Sequence, residues 1–238
     1  MGKVDATTGS ARPSRGERRK RETRARLLLA ALRLMAAKGK DGVAINEITD
    51  AADVGFGSFY NHFESKEAIY GELVGWVFER FANALDQALA QVHDPAEIIS
   101  LSIRQTLLRA EREPLWGQFL VREGFSPAIF EHGLGRRLLR DIEKGVQAGR
   151  FVSDDPLMTL ASVGGTALTA ISFVVMFNPD GSPPELFAQR GFHTSKWPER
   201  TAAACLSILG LNRAEAEAIA TRPLPDIEVT FESLSSDI

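Results

Sequence analysis

The sequence predicts an all-α chain: a small N-terminal three-helix unit carried on a larger helical domain. Three observations predict it. Apolar residues recur at three- and four-residue spacing along most of the chain. Two short helical stretches near the N-terminus are separated only by Asp53-Val54-Gly55. No run alternates apolar and polar residues convincingly enough to be read as a strand. A length of 238 residues exceeds one ordinary domain and leaves room for this division. With 44% hydrophobic and 25% charged residues, the composition is that of a globular protein with a real core.

Residues 1–16 hold Gly, Ser, Thr, Pro and charges with almost no apolar side chain, so a mobile basic arm is expected there. Residues 17–39 place Leu27, Leu28, Ala31, Leu32, Leu34 and Met35 at helical spacing and end in Lys38-Gly39, a helix stop signal. The stretches 45–52 and 56–63 are too short to stand alone and must be held by their neighbours, which makes the unit compact. Ser65 then offers an N-cap, Glu67 complements the helix dipole, and Ile69, Leu73, Val77, Phe81, Leu85 and Leu89 mark one long connecting helix over 66–91. Further helices are expected at 96–112, 115–123, 128–149, 156–177, 198–209 and 214–221. The Pro- and Gly-rich loop 178–196 is long for a compact domain, and a draped or disordered tail is expected over 223–238. The expected boundaries are therefore 1–16, 17–65, 66–222 and 223–238.

The net charge of -3 conceals an asymmetry: residues 1–70 carry 13 basic against 9 acidic side chains, and the remainder 15 against 22. Eight basic residues lie between Arg12 and Arg26 with only Glu17 and Glu22 among them. Such a run either contacts phosphates, gaining from counterion release, or is a solvated arm that keeps the chain soluble. The lone Cys205 in an Ala-rich context excludes an intrachain disulfide or a cysteine metal site and points to a reducing, cytoplasmic compartment. No stretch reads as long and apolar enough to span a bilayer, so no membrane partner is expected.

The informative stretch runs from Ala44 to Ile69. Ile45, Ile48 and Ala52 face inward, and the small Ala51 and Ala52 let a second helix cross closely. Asp53 and Gly55 suit a tight or left-handed turn. Phe59 and Phe63, four apart, share the core face, which leaves Ser58, Tyr60, Asn61 and His62 to project elsewhere. Gly57 costs about 1 kcal/mol relative to Ala within a helix. It either lets the helix approach a DNA groove closely or permits close helix crossing within the protein.

The order Ile48, Ala52, Val54, Gly57, Tyr60, His62-Phe63 and Ser65-Lys66-Glu67, behind an arginine-rich helix containing Thr23-Arg24, resembles the helix-turn-helix of the TetR (AcrR-type) family. The likeness is close over residues 19–70 and looser beyond, where Leu209-Gly210-Leu211 and Pro223-Leu224-Pro225 are similar to the C-terminal helices of some members. It departs from the pattern at Ala44, where a Thr cap is frequent, and at Asp53, where Gly is common. The resemblance implies a transcriptional regulator, most simply a repressor, with recognition helices about 34–36 Å apart on a palindromic double-stranded operator. It places Phe56, Gly57, Ser58, Tyr60, Asn61 and His62 on the recognition helix, and Asn46, Thr23, Arg24 and Lys66 at its phosphate contacts.

The resemblance also implies a ligand-binding and dimerisation domain, with a homodimer formed through 156–177 and 198–209. The small residues Gly164, Gly165, Ala167, Ala170 and Ala202 to Ala204 are suited to that contact. An apolar effector of acyl, steroid-like or aromatic type would lie among Trp116, Phe119, Phe125, Phe130, Phe173, Met176 and Phe177. Arg104, Arg122 and His132 are the candidate polar handles. An activator, or a DNA-binding protein without an effector, is the alternative. An enzyme is disfavoured, since the histidines at 62, 93, 132 and 193 form no metal pair and Gly55-Phe56-Gly57 is no phosphate loop. No cofactor and no metal are expected.

Overall fold

The computed structural model describes residues 14–124, 126, 133–176, 185–190, 193, 195–225 and 227. In order, α1 spans Arg15–Lys38, α2 Ile45–Ala51, α3 Phe56–Tyr60, α4 Lys66–Val74 and α5 Arg80–Ala88. Then come α6 (Pro95–Arg112), α7 (Pro114–Glu123), α8 (Gly133–Gln147), α9 (Pro156–Met176), α10 (Glu185–Ala188), α11 (Trp197–Ile208) and α12 (Arg213–Ala220). No strand occurs among the described residues. The fold is all-α.

The helix ends follow from local chemistry. Ser14 and Glu17 form a reciprocal capping box, so α1 begins two residues earlier than the sequence predicts, and Arg15 and Gly16 are helical rather than part of an arm. Residues 1–13 lie outside the described residues. At α2, Ala44 offers no side-chain cap, but Glu47 accepts the Ala44 backbone N–H at 2.9 Å, so half of a capping box survives the missing Thr. Asp53 takes the left-handed φ of 51° that its turn demands, and Arg26 donates to both its carbonyl and its carboxylate. α3 stops at Tyr60, earlier than 63, because Asn61 and His62 close a turn onto the Phe59 carbonyl.

α1, α2 and α3 close over Leu28, Leu32, Met35, Ile48, Phe59 and Phe63, all buried. In the larger domain α6 is central and packs against α7, α8, α9, α11 and α12. Arg150 pairs with both Asp94 and Glu215, tying the start of α6 to α12. Gln105 of α6 donates to the Pro225 carbonyl and Ile227 packs on the core, so the described start of the tail lies along α6. Residues 228–238 lie outside the described residues, and the loop after α9 contains α10.

Two further features depart from the sequence reading. The long connecting helix is continuous but not uniform, because a π turn over Gly75–Glu79 joins α4 to α5. The expectation that no segment matches a bilayer span is also corrected. Pro156–Val175 of α9 has a mean hydropathy of 1.7 and passes that test by length and composition. One side of it packs on α6, α7 and α11, while Leu157 and Met158 remain 73% and 58% exposed.

Candidate DNA-reading surface and effector cavity

The head exposes its chemistry by burying its scaffold. Phe59 and Phe63 insert beneath α3, which turns Phe56 and Tyr60 outward at 54% and 52% exposure, with their rings edge to face at 5.6 Å. Gly57 and Asn61 are exposed beside them, and Ser58 and His62 are partly covered. A Cβ built on Gly57 meets no described atom within 4 Å, so helix crossing does not explain this glycine. What remains is room for something outside the chain. Asn46 is exposed on α2, Thr23 is partly buried on α1, and Arg15, Arg18, Arg19, Lys20 and Arg21 are exposed along the first turns of α1.

Arg24, expected at the DNA backbone, is partly buried. It is turned inward, its guanidinium bonded to Glu72 of α4 and lying 4.5 Å over the Phe63 ring. A guanidinium fixed between a carboxylate and an aromatic face holds the head to α4 rather than reaching for a phosphate. Lys66 donates to the Val43 carbonyl at 3.0 Å, which occupies one of its three donors and anchors the start of α4. Burial, then the nearby charges of Arg24 and Lys20, push the His62 pKa below its ordinary 6.5, so this ring is neutral near pH 7. Its Nδ1 is buried with no hydrogen-bond partner among the described residues.

The larger domain does the opposite and gathers its chemistry in a recess between helices. A cavity of about 210 Å³ lies among α5, α6, α7, α8 and α9, with apolar walls that include Ile103, Leu120, Leu168 and Ile171. Its polar lining comes from Asp86, Ser102, Thr106, Arg137 and Asp141. Arg137 donates through Nε to Asp86 at 2.7 Å, and Arg140 donates to both Asp86 and Asp141. Burial alone would raise the Asp86 pKa, but hydrogen bonds from Arg140 and Arg137 outweigh it and hold the carboxyl ionised, below its usual range. The cavity therefore presents fixed donors and acceptors at its wall, with each buried charge already paired.

None of the expected effector residues whose side chains are described lines this cavity. Trp116 and Phe119 are fully buried core, the Trp116 indole donating to the Val77 carbonyl at 3.0 Å. Arg104 is committed to the Arg222 carbonyl and Glu199. Arg122 points out of the domain and donates to the Ala36 and Ala37 carbonyls at the end of α1. Phe173 packs edge to face on Phe187 and Trp197. The Met176 side chain, and Phe125, Phe130, His132 and Phe177, lie outside the described residues. The polar wall escaped the sequence reading because Asp86, Arg137 and Asp141 look like solvated charges on amphipathic helices until α5 and α8 are brought together. One signal was present: Gly164-Gly165 inside an apolar helix, both of which line the cavity.

Comparison with known proteins agrees with this division. A profile of the tetR family of bacterial regulatory proteins matches residues 27–73, and one of the tetracyclin repressor-like C-terminal domain matches residues 94–222. The transcriptional repressor DhaR of Mycobacterium sp. (strain GP1) is 37% identical over 89 residues, 37% of this chain and 43% of the relative. The repressor KstR of Mycolicibacterium smegmatis is 27% identical over 107 residues, 45% of this chain and 52% of the relative. The chain thus spans about half the length of the curated relatives it matches. Among solved structures, RolR in complex with resorcinol superposes with a TM-score of 0.62 at 33% identity, over 88% of this chain and 98% of that one.

Proposed function

Because the chain belongs to the tetR family of bacterial regulatory proteins, we propose that it is a cytoplasmic transcriptional repressor. It binds a palindromic operator as a homodimer and is released when a small hydroxylated aromatic compound enters the cavity. The observation that carries the reading is the pairing, in one chain, of an outward Phe56-Gly57-Tyr60 surface with a partly open, largely apolar cavity whose wall includes Asp86, Arg137 and Asp141. Ligand sites for drug-sized molecules run to roughly 300–1,000 Å³. A cavity of about 210 Å³ favours a compact ring over a steroid or a long acyl chain. Carboxylate and guanidinium at its wall suit hydroxyl groups, which both donate and accept. The complex of RolR with resorcinol, a small aromatic diol, supports that class.

Dimerisation through α9 and α11 is supported by the uncharged α9 and its exposed Leu157 and Met158, a face that water would otherwise meet. Gly57, Tyr60 and Asn61 read the major groove, with Asn46 and Lys66 at the phosphates. The test is a gel shift with the intergenic DNA beside the gene, repeated with Tyr60→Ala and with resorcinol. The expected result is a retarded band that Tyr60→Ala weakens and resorcinol dissolves. No retardation at low salt overturns the DNA-binding reading, and a band indifferent to small aromatic diols overturns the effector class.

A further inference from the structure

We propose that Glu79 is a positioning residue that couples the cavity to the head, by holding the π turn between α4 and α5 through its ion pair with Arg137. The inference rests on the reading of the cavity as the effector site. α4 is tied to the head, because Lys66 donates to the Val43 carbonyl and Arg24 to the Glu72 carboxylate. α5 belongs to the cavity, because Leu85 and Asp86 line it. The π turn Gly75–Glu79 is all that separates them.

A π turn is rare and frequently marks a functional site, since it holds one residue more than the α-helix would in that place. Letting that residue go shifts the two halves of the helix by up to about 1.5 Å along the axis and about 100° around it. Hydrogen bonds from other elements brace the turn at Val77 and at Glu79. The Trp116 indole takes the Val77 carbonyl, and Glu79, its last residue, has both carboxylate oxygens engaged. One accepts the Gly133 backbone N–H. The other accepts Arg137 Nη1 at 3.1 Å.

Arg137 is thus shared. The same guanidinium that lines the cavity and binds Asp86 at 2.7 Å also binds Glu79, and its Nη2 donates to Asn83. A guanidinium is a rigid planar fork, so re-aiming one edge toward a ligand oxygen moves the other edge as well. An effector that engages Arg137 or Asp86 therefore loosens Glu79, and the π turn relaxes toward α geometry. α4 shifts beneath the head, and the spacing of the two recognition helices changes. No separate messenger is needed, because the cavity wall and the hinge share one side chain.

The test uses the full chain with Glu79→Gln, which keeps the shape and removes the charge of a residue that does not line the cavity. Amide exchange over 75–79, operator binding and resorcinol calorimetry are read for wild type and variant. Expected in wild type is faster exchange over 75–79 when resorcinol binds. Expected in Glu79→Gln is faster exchange without resorcinol, resorcinol affinity within about threefold, and a ratio of operator Kd with and without resorcinol reduced at least about fivefold. Gly75→Ala, whose added methyl meets nothing within 4 Å, favours α geometry and is expected to weaken operator binding without any ligand. Exchange and coupling in Glu79→Gln equal to wild type overturn the proposal. If wild type binds no resorcinol, the effector class fails instead, and ligand-free exchange and operator affinity of the two variants still decide: both unchanged overturns the hinge.

Discussion

Gly57 in the head and Gly165 in the larger domain are both helical glycines at which an added Cβ would meet no described atom within 4 Å. They are empty for opposite reasons. Gly57 lies on an exposed five-residue helix between Phe56 and Tyr60, and the space before it is solvent that a DNA groove would fill. Gly165 lies on α9 and the space before it is the cavity. Each gives up helix propensity of about 1 kcal/mol for an absent side chain, one on an exposed surface and the other on the wall of a recess. The head works by projecting groups from a packed scaffold, the larger domain by leaving its own core unfilled.

That contrast is breakable, and the largest expected effect is at the head's scaffold. Phe59→Ala removes a fully buried ring and should cost about 3–5 kcal/mol, enough to unfold the head and abolish operator binding. Resorcinol binding should survive it. Concerted loss of both in urea denaturation followed by calorimetry would show that the two regions stand or fall together.

The two glycines come next. Gly57→Leu should leave the melting temperature within a few degrees and reduce operator affinity about 100-fold, roughly 2.7 kcal/mol, by anisotropy titration. Retained affinity would mean that no groove wall comes close. Gly165→Leu should fill the void, lower resorcinol affinity at least about tenfold and leave ligand-free operator binding intact. Unchanged resorcinol affinity would place the effector elsewhere.

The smallest expected effect separates the regions by pH. The His62 pKa is depressed in the folded head, so its contribution is fully present above 6.5 and is lost as pH falls through the folded value, where the unfolded chain takes up the proton first. In the larger domain the hydrogen bond from Arg150 holds the Asp94 pKa below 3.8, so that contribution is present above 3.8 and lost only as pH falls further. Acid titration by NMR should therefore perturb the head before the larger domain, and His62→Gln should remove the early step. Simultaneous transitions in wild type would contradict the order.

The head was legible because its determinants are local. Phe59 and Phe63 share a face by helical period, Asp53 takes its turn by backbone preference, and Ser65 caps α4, so residues a few positions apart fix the surface that remains. The packing of Arg24 was not legible, because its partners, Phe63 and Glu72, are 39 and 48 residues away. The cavity failed for the same reason at larger scale. Aromatic residues such as Trp116 and Phe119 suggest a ligand box by composition, yet their rings fill the core.

By itself, the sequence determined the all-α class, the helix order and the outward Tyr60 and Asn61, since periodicity, caps and turn residues act within a few residues of one another. Only the tertiary structure decided that Asp86 and Arg137, 51 residues apart, pair at 2.7 Å on the wall of one cavity, and that Arg122 reaches back to the last turn of α1. It alone decided that the helix between head and cavity carries a π turn. Those outcomes depend on which helices meet. A charged side chain on an amphipathic helix reads the same whether it will face water or a buried partner.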